Sequence, residues 1–347
     1  MKPQQADAHK QPAHPPYKWP TNAYPMHEFG VMPARATRSS RTAARVALSA
    51  RIRDAEAVAT GPLGALSHDE LGVIFDGLAD PLQPVVAVAL SSTCLGLRTP
   101  LQAALEVLQQ RHARALALCR KMSPGCDILE DSVILSWQST SRELDWYHKG
   151  LYDDDMTTLG MLMTNWLPRL ERIFLTGNGI SDTGMRALCE GLGRGIMPSL
   201  KAMRLSYNQI GPAGAEALAA ALCLGALPKL EFLSLDDNPI GSQGVDAMAT
   251  PLRKLSALQT LNLCNCNFGD EAVASLVAGL GKDDFKALRS FGLSCNTITD
   301  AGLNQFVAAI DAGGLPELIS GFTYQRMPLA SDSAVKAVSN ALVKRRQ

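Results

Sequence analysis

The chain has 347 residues, of which 46% are hydrophobic and only 5% aromatic, and its formal net charge is zero. A neutral chain has no overall field that would collect nucleic acid or an anionic membrane surface, and no apolar run reaches the roughly 18 residues that a membrane span needs. No apolar segment follows the start of the chain as it would in a secretory signal, and the eight cysteines are dispersed. These features predict an intracellular protein, cytoplasmic or nuclear, with reduced cysteines and without nucleic-acid or membrane partners.

Residues 1–60 are rich in Pro, Gln, Ala, Ser and Arg and hold few large aliphatic side chains. Such a segment buries too little apolar area to offset the entropy of ordering, so we predict a disordered arm. Nine lysines and arginines against four acidic residues make this arm basic. We interpret it as solvated. Organelle targeting or binding to an acidic surface is the alternative, although a presequence would place its basic stretch nearer residue 1.

Residues 65–122 are predicted to form a helical unit. Ser67 and Glu70 have the spacing of a capping box, which satisfies free amides in a first helical turn. The apolar residues that follow it share one stripe of the helix; they are Leu71, Ile74, Phe75 and Leu78. Thr99-Pro100 predicts the cap and first turn of a longer helix, from about Leu101 to Met122.

Residues 126–169 read as a degenerate capping repeat, in which Leu144, Trp146 and Leu151 occupy strand positions. Asp153-Asp154-Asp155 then opens a helix. Three adjacent carboxylates are also compatible with a metal, but no second set of ligands accompanies them. Capping of helix amides by aspartate is therefore the favoured interpretation.

Residues 170–317 contain five copies of one pattern, which begin at Leu170, Leu200, Leu230, Leu258 and Leu288. A fixed period near 30 residues indicates one supersecondary unit stacked on copies of itself. Residues 318–347 are predicted to be a C-terminal capping repeat. There, Gly321, Thr323 and Arg326 interrupt the strand pattern, while an amphipathic helix persists.

Each copy has an apolar residue at its first, fourth and sixth positions, and the last two of these share one face of a short strand. The ninth position is predicted to point inward and to bond backbone groups of the turn; it is Asn178, Asn208, Asn238, Cys266 or Asn296. A small residue then precedes each helix; it is Gly184, Gly214, Gly244, Ala272 or Gly302.

The pattern Leu-x-x-Leu-x-Leu-x-x-Asn/Cys-x-Ile resembles the leucine-rich repeat family, and specifically its ribonuclease-inhibitor type. The resemblance implies an α/β solenoid with the shape of a horseshoe. A parallel sheet lines its concave face and helices cover its convex face. The resemblance implies nothing catalytic, so we expect a protein that is not an enzyme and has no cofactor or bound metal.

Residues 66–98 resemble an F-box, on the capped Leu-x-x-Ile-Phe-x-x-Leu stripe and the apolar helix that ends in Cys94, Leu97 and Arg98. F-box units dock on the Skp subunit of cullin-based ubiquitin ligases, and leucine-rich repeats commonly follow them to hold the substrate. The resemblance therefore implies Skp binding through Leu71, Ile74, Phe75 and Leu78. The alternative is a helical cap over the open apolar edge of the first repeat.

Strand residues that alternate away from the core are the candidates for binding a protein client on the concave face. They are Arg172, Phe174, Arg204, Tyr207, Phe232, Asp236 and Asn262. Phe174, Arg204 and Phe232 are predicted to form the contact patch. Cys264, Cys266 and Cys295 lie on adjacent repeats, but three thiols without a fourth ligand are weak evidence for zinc.

Substrate recruitment to a ubiquitin ligase is the most specific function that these resemblances imply. A leucine-rich-repeat scaffold with no ligase attached is the first alternative, and we expect a monomer outside any complex. A small-GTPase regulator resembling the Ran GTPase activator is the second. Such activators usually end in a long acidic tail, whereas this chain ends in basic residues.

Overall fold

The computed structural model describes residues 95–122, 142–165, 167, 169–194, 197–281, 283–318, 321–323 and 327–344. Eight helices and seven strands lie in these ranges. In chain order they are α1 (Leu95–Met122), β1 (Glu143–Asp145), α2 (Asp153–Asn165), β2 (Arg172–Phe174), α3 (Asp182–Arg194), β3 (Ala202–Arg204), α4 (Pro212–Cys223), β4 (Phe232–Ser234), α5 (Gly241–Arg253), β5 (Thr260–Asn262), α6 (Asp270–Val277), β6 (Ser290–Gly292), α7 (Asp300–Asp311), β7 (Gly321–Thr323) and α8 (Asp332–Lys344).

The strands form one parallel sheet in the order in which they occur along the chain, from β1 to β7. Each strand pairs with the next without any shift in register, so that Ile173 lies beside Met203 and Met203 beside Leu233. Parallel neighbours need a crossover, and one helix after each strand supplies it. The predicted leucine-rich-repeat solenoid is confirmed.

The core lies between the sheet and the helices. The first, fourth and sixth residues of all five predicted copies are buried, as in Leu170, Ile173 and Leu175. The first helical turn also differs from the prediction in one detail. Gly184 and Gly214 are the third residues of α3 and α4 and do not precede them.

Helix α1 begins at Leu95, earlier than the sequence predicts, and it continues through Thr99-Pro100. Proline within a helix removes one backbone hydrogen bond. Four side chains near the end of α1 belong to the common core; they are Ala115, Leu118, Cys119 and Met122. Lys121 Nζ also lies 2.6 Å from Asp155 Oδ2 at the start of α2. The end of α1 therefore covers the helical layer of the first repeat.

At the other end of the sheet, β7 pairs with β6 along its full length. This corrects the expectation that Gly321 and Thr323 would interrupt the strand; Arg326 lies outside the described residues. Pairing in a parallel sheet uses backbone groups, so an unusual side-chain pattern does not prevent it. Within the described part of the chain, no helix has the length and apolarity that a bilayer crossing would require.

Candidate functional site

Asparagine side chains link successive repeats beneath the concave face. Asn208 Nδ2 donates to Leu175 O of the preceding repeat at 3.0 Å and to Leu205 O of its own repeat at 2.8 Å. Its Oδ1 accepts from Ile180 N at 3.3 Å. Asn178, Asn238 and Asn296 make equivalent bonds. The predicted inward amide ladder is confirmed, and it satisfies turn groups that the short strands leave unpaired.

Cys266 occupies the one ladder position without an amide among these five repeats. Its buried Sγ lies 3.3 Å from Leu235 O, and burial raises the pKa of the Cys266 thiol well above its ordinary value, so the thiol stays protonated. A thiol cannot replace the amide oxygen as an acceptor. In the preceding repeats, Ile180 N and Ile210 N donate to the amide oxygen of the next asparagine. The equivalent Ile240 N donates instead to Asn238 O at 2.8 Å.

A second ladder of carboxylates joins the helix starts. Asp270 Oδ1 accepts from Thr299 N at 2.8 Å, and its Oδ2 accepts from Thr299 Oγ1 at 2.6 Å. The same pairing joins Asp153 to Ser181 and Asp300 to Ser331. These carboxylates cap amides of the following repeat. Asp155 caps its own helix as the sequence predicted, since its Oδ2 accepts from Tyr152 N at 2.9 Å.

The second ladder explains most of the small residues in the first helical turns. A Cβ at Gly214 would lie 2.7 Å from Asp182 Oδ1, which accepts hydrogen bonds from Gly211 N and Gly214 N. In the repeat that contains Ala272, the ladder residue is Ser242, whose hydroxyl accepts from Gly269 N at 3.2 Å. At this interface Ser242 replaces the longer aspartate of the other ladder positions, and Ala272 replaces the smaller glycine.

Outward-facing strand residues form two rows across the sheet, because the middle residues of β1 to β6 are buried. The upstream row consists of Glu143, Arg172, Ala202, Phe232, Thr260, Ser290 and Gly321. The downstream row consists of Asp145, Phe174, Arg204, Ser234, Asn262, Gly292 and Thr323.

Phe174, Arg204 and Phe232, hereafter the Phe–Arg–Phe cluster, meet on three adjacent strands. The guanidinium carbon of Arg204 lies 4.7 Å from the ring centre of Phe174 and 5.0 Å from that of Phe232. Both distances are typical of cation–π contacts. Both rings are half-buried and Arg204 is exposed. The three side chains predicted to form the contact patch are therefore in one place.

Arg172 lies next to the cluster but differs from Arg204 in its partners. Its Nε lies 2.5 Å from Glu143 Oε2 on the neighbouring strand. At the adjacent edge of the sheet, Glu171 pairs with Lys201 and with Arg142, both at 3.2 Å. The hydrogen bond from Lys201 lowers the pKa of Glu171. These groups compensate one another's charge.

Asp236 anchors a polar group of side chains just beyond the downstream row. Its carboxylate accepts from Ser234 Oγ at 2.7 Å and from Cys264 N at 2.8 Å, and Ser206 Oγ hydrogen bonds with Ser234 Oγ. Burial raises the pKa of Asp236, and the hydrogen bonds oppose the rise. Asp236 is thus held by the scaffold, which the sequence did not reveal.

Tyr207 and Asn262, the remaining predicted contact residues, lie on either side of Asp236. Tyr207 is exposed and has φ 55°, and Asp237 and Asn265 take the same left-handed conformation in the next two repeats. This conformation turns the chain away from the sheet after each strand. Asn262 is half-buried in the downstream row, between Ser234 and Gly292.

Neither metal arrangement that the sequence suggested is formed in the described part of the chain, where no group of three His, Cys, Asp or Glu side chains could hold an ion. Asp153 and Asp155 are occupied by Ser181 and Lys121. Cys266 points inward, while Cys264 and Cys295 are half-buried and form no disulfide.

The F-box-like stripe cannot be placed against this face. Its four residues, Leu71, Ile74, Phe75 and Leu78, lie outside the described residues. Skp binding through them stays a prediction.

Comparisons with known proteins match three of the repeats to one family model. The model of the leucine-rich repeat family matches residues 170–189, 197–219 and 226–249. Among solved structures, the crystal structure of the yeast Rad7 and Elc1 complex matches at 11% identity and a TM-score of 0.30, covering 88% of this chain and 78% of that chain. A search of the curated proteins gave no match. The matched segments and the alternation of parallel strands with helices identify residues 170–249 as leucine-rich repeats within a leucine-rich-repeat solenoid.

Proposed function

We propose that this protein is a protein-interaction protein that holds a client on its concave face. The observation that carries the proposal is the Phe–Arg–Phe cluster on β2, β3 and β4. Aromatic residues and arginine are the types most enriched where binding energy concentrates in protein interfaces. A cluster of three on strands of a rigid sheet supplies such a centre.

The surroundings of the cluster support the same conclusion. The buried sides of β2, β3 and β4 are fixed by the core and by the asparagine ladder. Rigid strands place their outward side chains with little freedom to lose, which lowers the entropic cost of binding. Half-buried rings still have apolar area to cover, and covering it would favour association.

Removing both aromatic rings tests this proposal. We expect the double variant Phe174→Ala, Phe232→Ala to weaken client binding at least about tenfold, because it removes two anchors and the support of Arg204. The full chain would be used to capture and crosslink a client, and the affinity of that purified client would then be measured by calorimetry.

A matched control removes two exposed apolar side chains away from the sheet strands, Leu224 and Leu329. The double variant Leu224→Ala, Leu329→Ala should bind the client with unchanged affinity. If the phenylalanine variant binds as tightly as the wild type while it remains folded, the concave cluster is not the binding site.

A finer proposal is that the client is a substrate recruited to a cullin-type ubiquitin ligase. The F-box-like stripe in the sequence supports it. The changes Leu71→Ala, Ile74→Ala and Phe75→Ala, made together, should abolish capture of Skp while the helical content and the melting temperature stay unchanged.

The competing interpretation is that residues 65–122 only cap the first repeat, and the packing of α1 on α2 supports it for the end of this segment. Under that interpretation the same triple variant lowers the melting temperature, and the wild-type chain captures no Skp. Circular dichroism beside the Skp capture separates the two outcomes.

A further inference from the structure

We propose that Arg204 is the receptor for a carboxylate side chain, so that the client contributes an acidic segment to the concave face. The inference deepens the proposed function and rests on it. It follows from the geometry of one guanidinium and from the charges around it.

The guanidinium of Arg204 lies over both rings of the Phe–Arg–Phe cluster and stays exposed, so its N–H donors are available to a ligand. A guanidinium is planar, and its N–H donors point outward in that plane. Its carbon lies 4.7 Å and 5.0 Å from the two ring centres, and the side chain is exposed. A ligand that approaches along the edge can therefore accept two parallel hydrogen bonds, as a carboxylate does.

Arg204 also has no anionic partner in the described part of the chain. The neighbouring Arg172 is paired with Glu143, and Lys201 and Arg142 share Glu171. No carboxylate of the described residues lies within ion-pair distance of Arg204. Its charge is left for a ligand to compensate, at the centre of the surface that is proposed to bind the client.

The surrounding charges favour a carboxylate over a phosphate or a nucleic acid. Sites for phosphoryl groups usually gather several basic side chains. Within the described part of the chain, Arg204 stands among acidic side chains, since Asp145 precedes Phe174 in the downstream row and Asp236 lies beyond Ser234. Arg204 can neutralise a single negative charge, whereas Asp145 and Asp236 would repel the additional charge of a dianion or a polyanion.

The cluster also prepares the guanidinium for this role. An arginine side chain is flexible, and fixing it on binding costs entropy. Contact with the two rings restricts the guanidinium before the ligand arrives, so less of that entropy is lost on binding.

The test is a selection of short random peptides displayed on phage, with the full wild-type chain as the target. We expect the enriched peptides to carry Asp or Glu at one fixed position. A synthetic copy of the strongest peptide should bind Arg204→Gln at least about tenfold more weakly than the wild type. The control Arg186→Gln, an exposed arginine on helix α3, should bind it normally.

A double-mutant cycle assigns the contact. A peptide with Asn in place of its selected Asp should bind the wild type as weakly as the original peptide binds Arg204→Gln, and the two changes together should cost little more than either alone. Arg204→Glu should select peptides with Lys or Arg at the same position.

Each of the following results would overturn the inference. Enriched peptides without a fixed acidic position, or additive losses in the cycle, would remove the carboxylate contact. Tighter binding of a phosphoserine version of the peptide would show a phosphate site instead. If the selected peptides are sensitive to the Phe174→Ala, Phe232→Ala variant but not to Arg204→Gln, the carboxylate inference fails while the proposed function survives. Failure to select any peptide sensitive to either variant contradicts both.

Discussion

The two halves of the concave face share one scaffold but present different surfaces. On β2, β3 and β4 the outward side chains include Arg172 and the Phe–Arg–Phe cluster. On β5 and β6 they are short and mostly polar, and the residues are Thr260, Asn262, Ser290 and Gly292. The middle residues of all five strands are nevertheless buried apolar side chains. Within one strand, the inward residue builds the core and the outward residues form the surface. The outward residues can therefore differ between repeats while the inward residues stay apolar.

The halves also differ beneath the surface, at the asparagine ladder. Asn238 has two amide donors bonded to Leu205 O and Leu235 O, both at 2.9 Å, and its oxygen accepts from Ile210 N at 3.1 Å. Cys266, on the repeat of β5, offers a weak thiol donor and takes no equivalent amide bond. We infer that this interface depends less on its ladder side chain than the preceding one does.

The largest expected effect comes from breaking the asparagine ladder beneath β2, β3 and β4. Asn238→Ala leaves three buried backbone groups without their side-chain partner, and we expect it to lower the free energy of unfolding by about 3 kcal/mol. Cys266→Ala should cost only about 1 kcal/mol, because a thiol bond is weak and the cavity is small. Urea unfolding followed by circular dichroism measures both. Equal losses would mean that the two interfaces depend on their ladder residues to the same extent.

A smaller effect should come from the carboxylate ladder. Gly214→Ala places a methyl group 2.7 Å from Asp182 Oδ1 and 2.9 Å from Ile210 Cγ2. We expect a loss of about 1–2 kcal/mol, since overpacking outweighs the better helix propensity of alanine. Adding Asp182→Ser should restore most of the loss, because it reproduces the Ser242 and Ala272 combination. Thermal melting of the single and double variants checks this, and no recovery in the double variant would contradict the explanation.

The smallest effect concerns Asp236, which lies between the two halves. Because its pKa is raised in the folded protein above the ordinary value of 3.8, the folded state holds this proton more tightly than the unfolded state. Asp236 therefore favours folding below pH 3.8, and the benefit disappears as the pH rises through the folded pKa. Asp236→Asn should remove this one contribution while retaining an acceptor for Cys264 N. Urea unfolding of both proteins across this pH range tests the sign; a wild type that gains stability relative to the variant as the pH rises would contradict it.

Some of the concave cluster could be predicted because the repeat fixes register. Phe174 and Arg204 are 30 residues apart, which is one period, so they fall on neighbouring strands at the same position. Phe232 is 28 residues beyond Arg204 and falls in the other row, two residues earlier on the next strand. Stacking of its ring on the same guanidinium depends on the reach of two long side chains, which no spacing in the sequence specifies.

The sequence by itself determined the buried residues of each strand and the asparagine ladder, because burial imposes a short, regular pattern on every repeat. The tertiary structure alone decided which side chains bond between repeats. The Asp270–Thr299 pair and the Asp236 group join residues about one period apart, and their bonds depend on how closely adjacent units stack. The pairing of β7 was decided in the same way, since backbone groups brought side by side bond whatever side chains they carry.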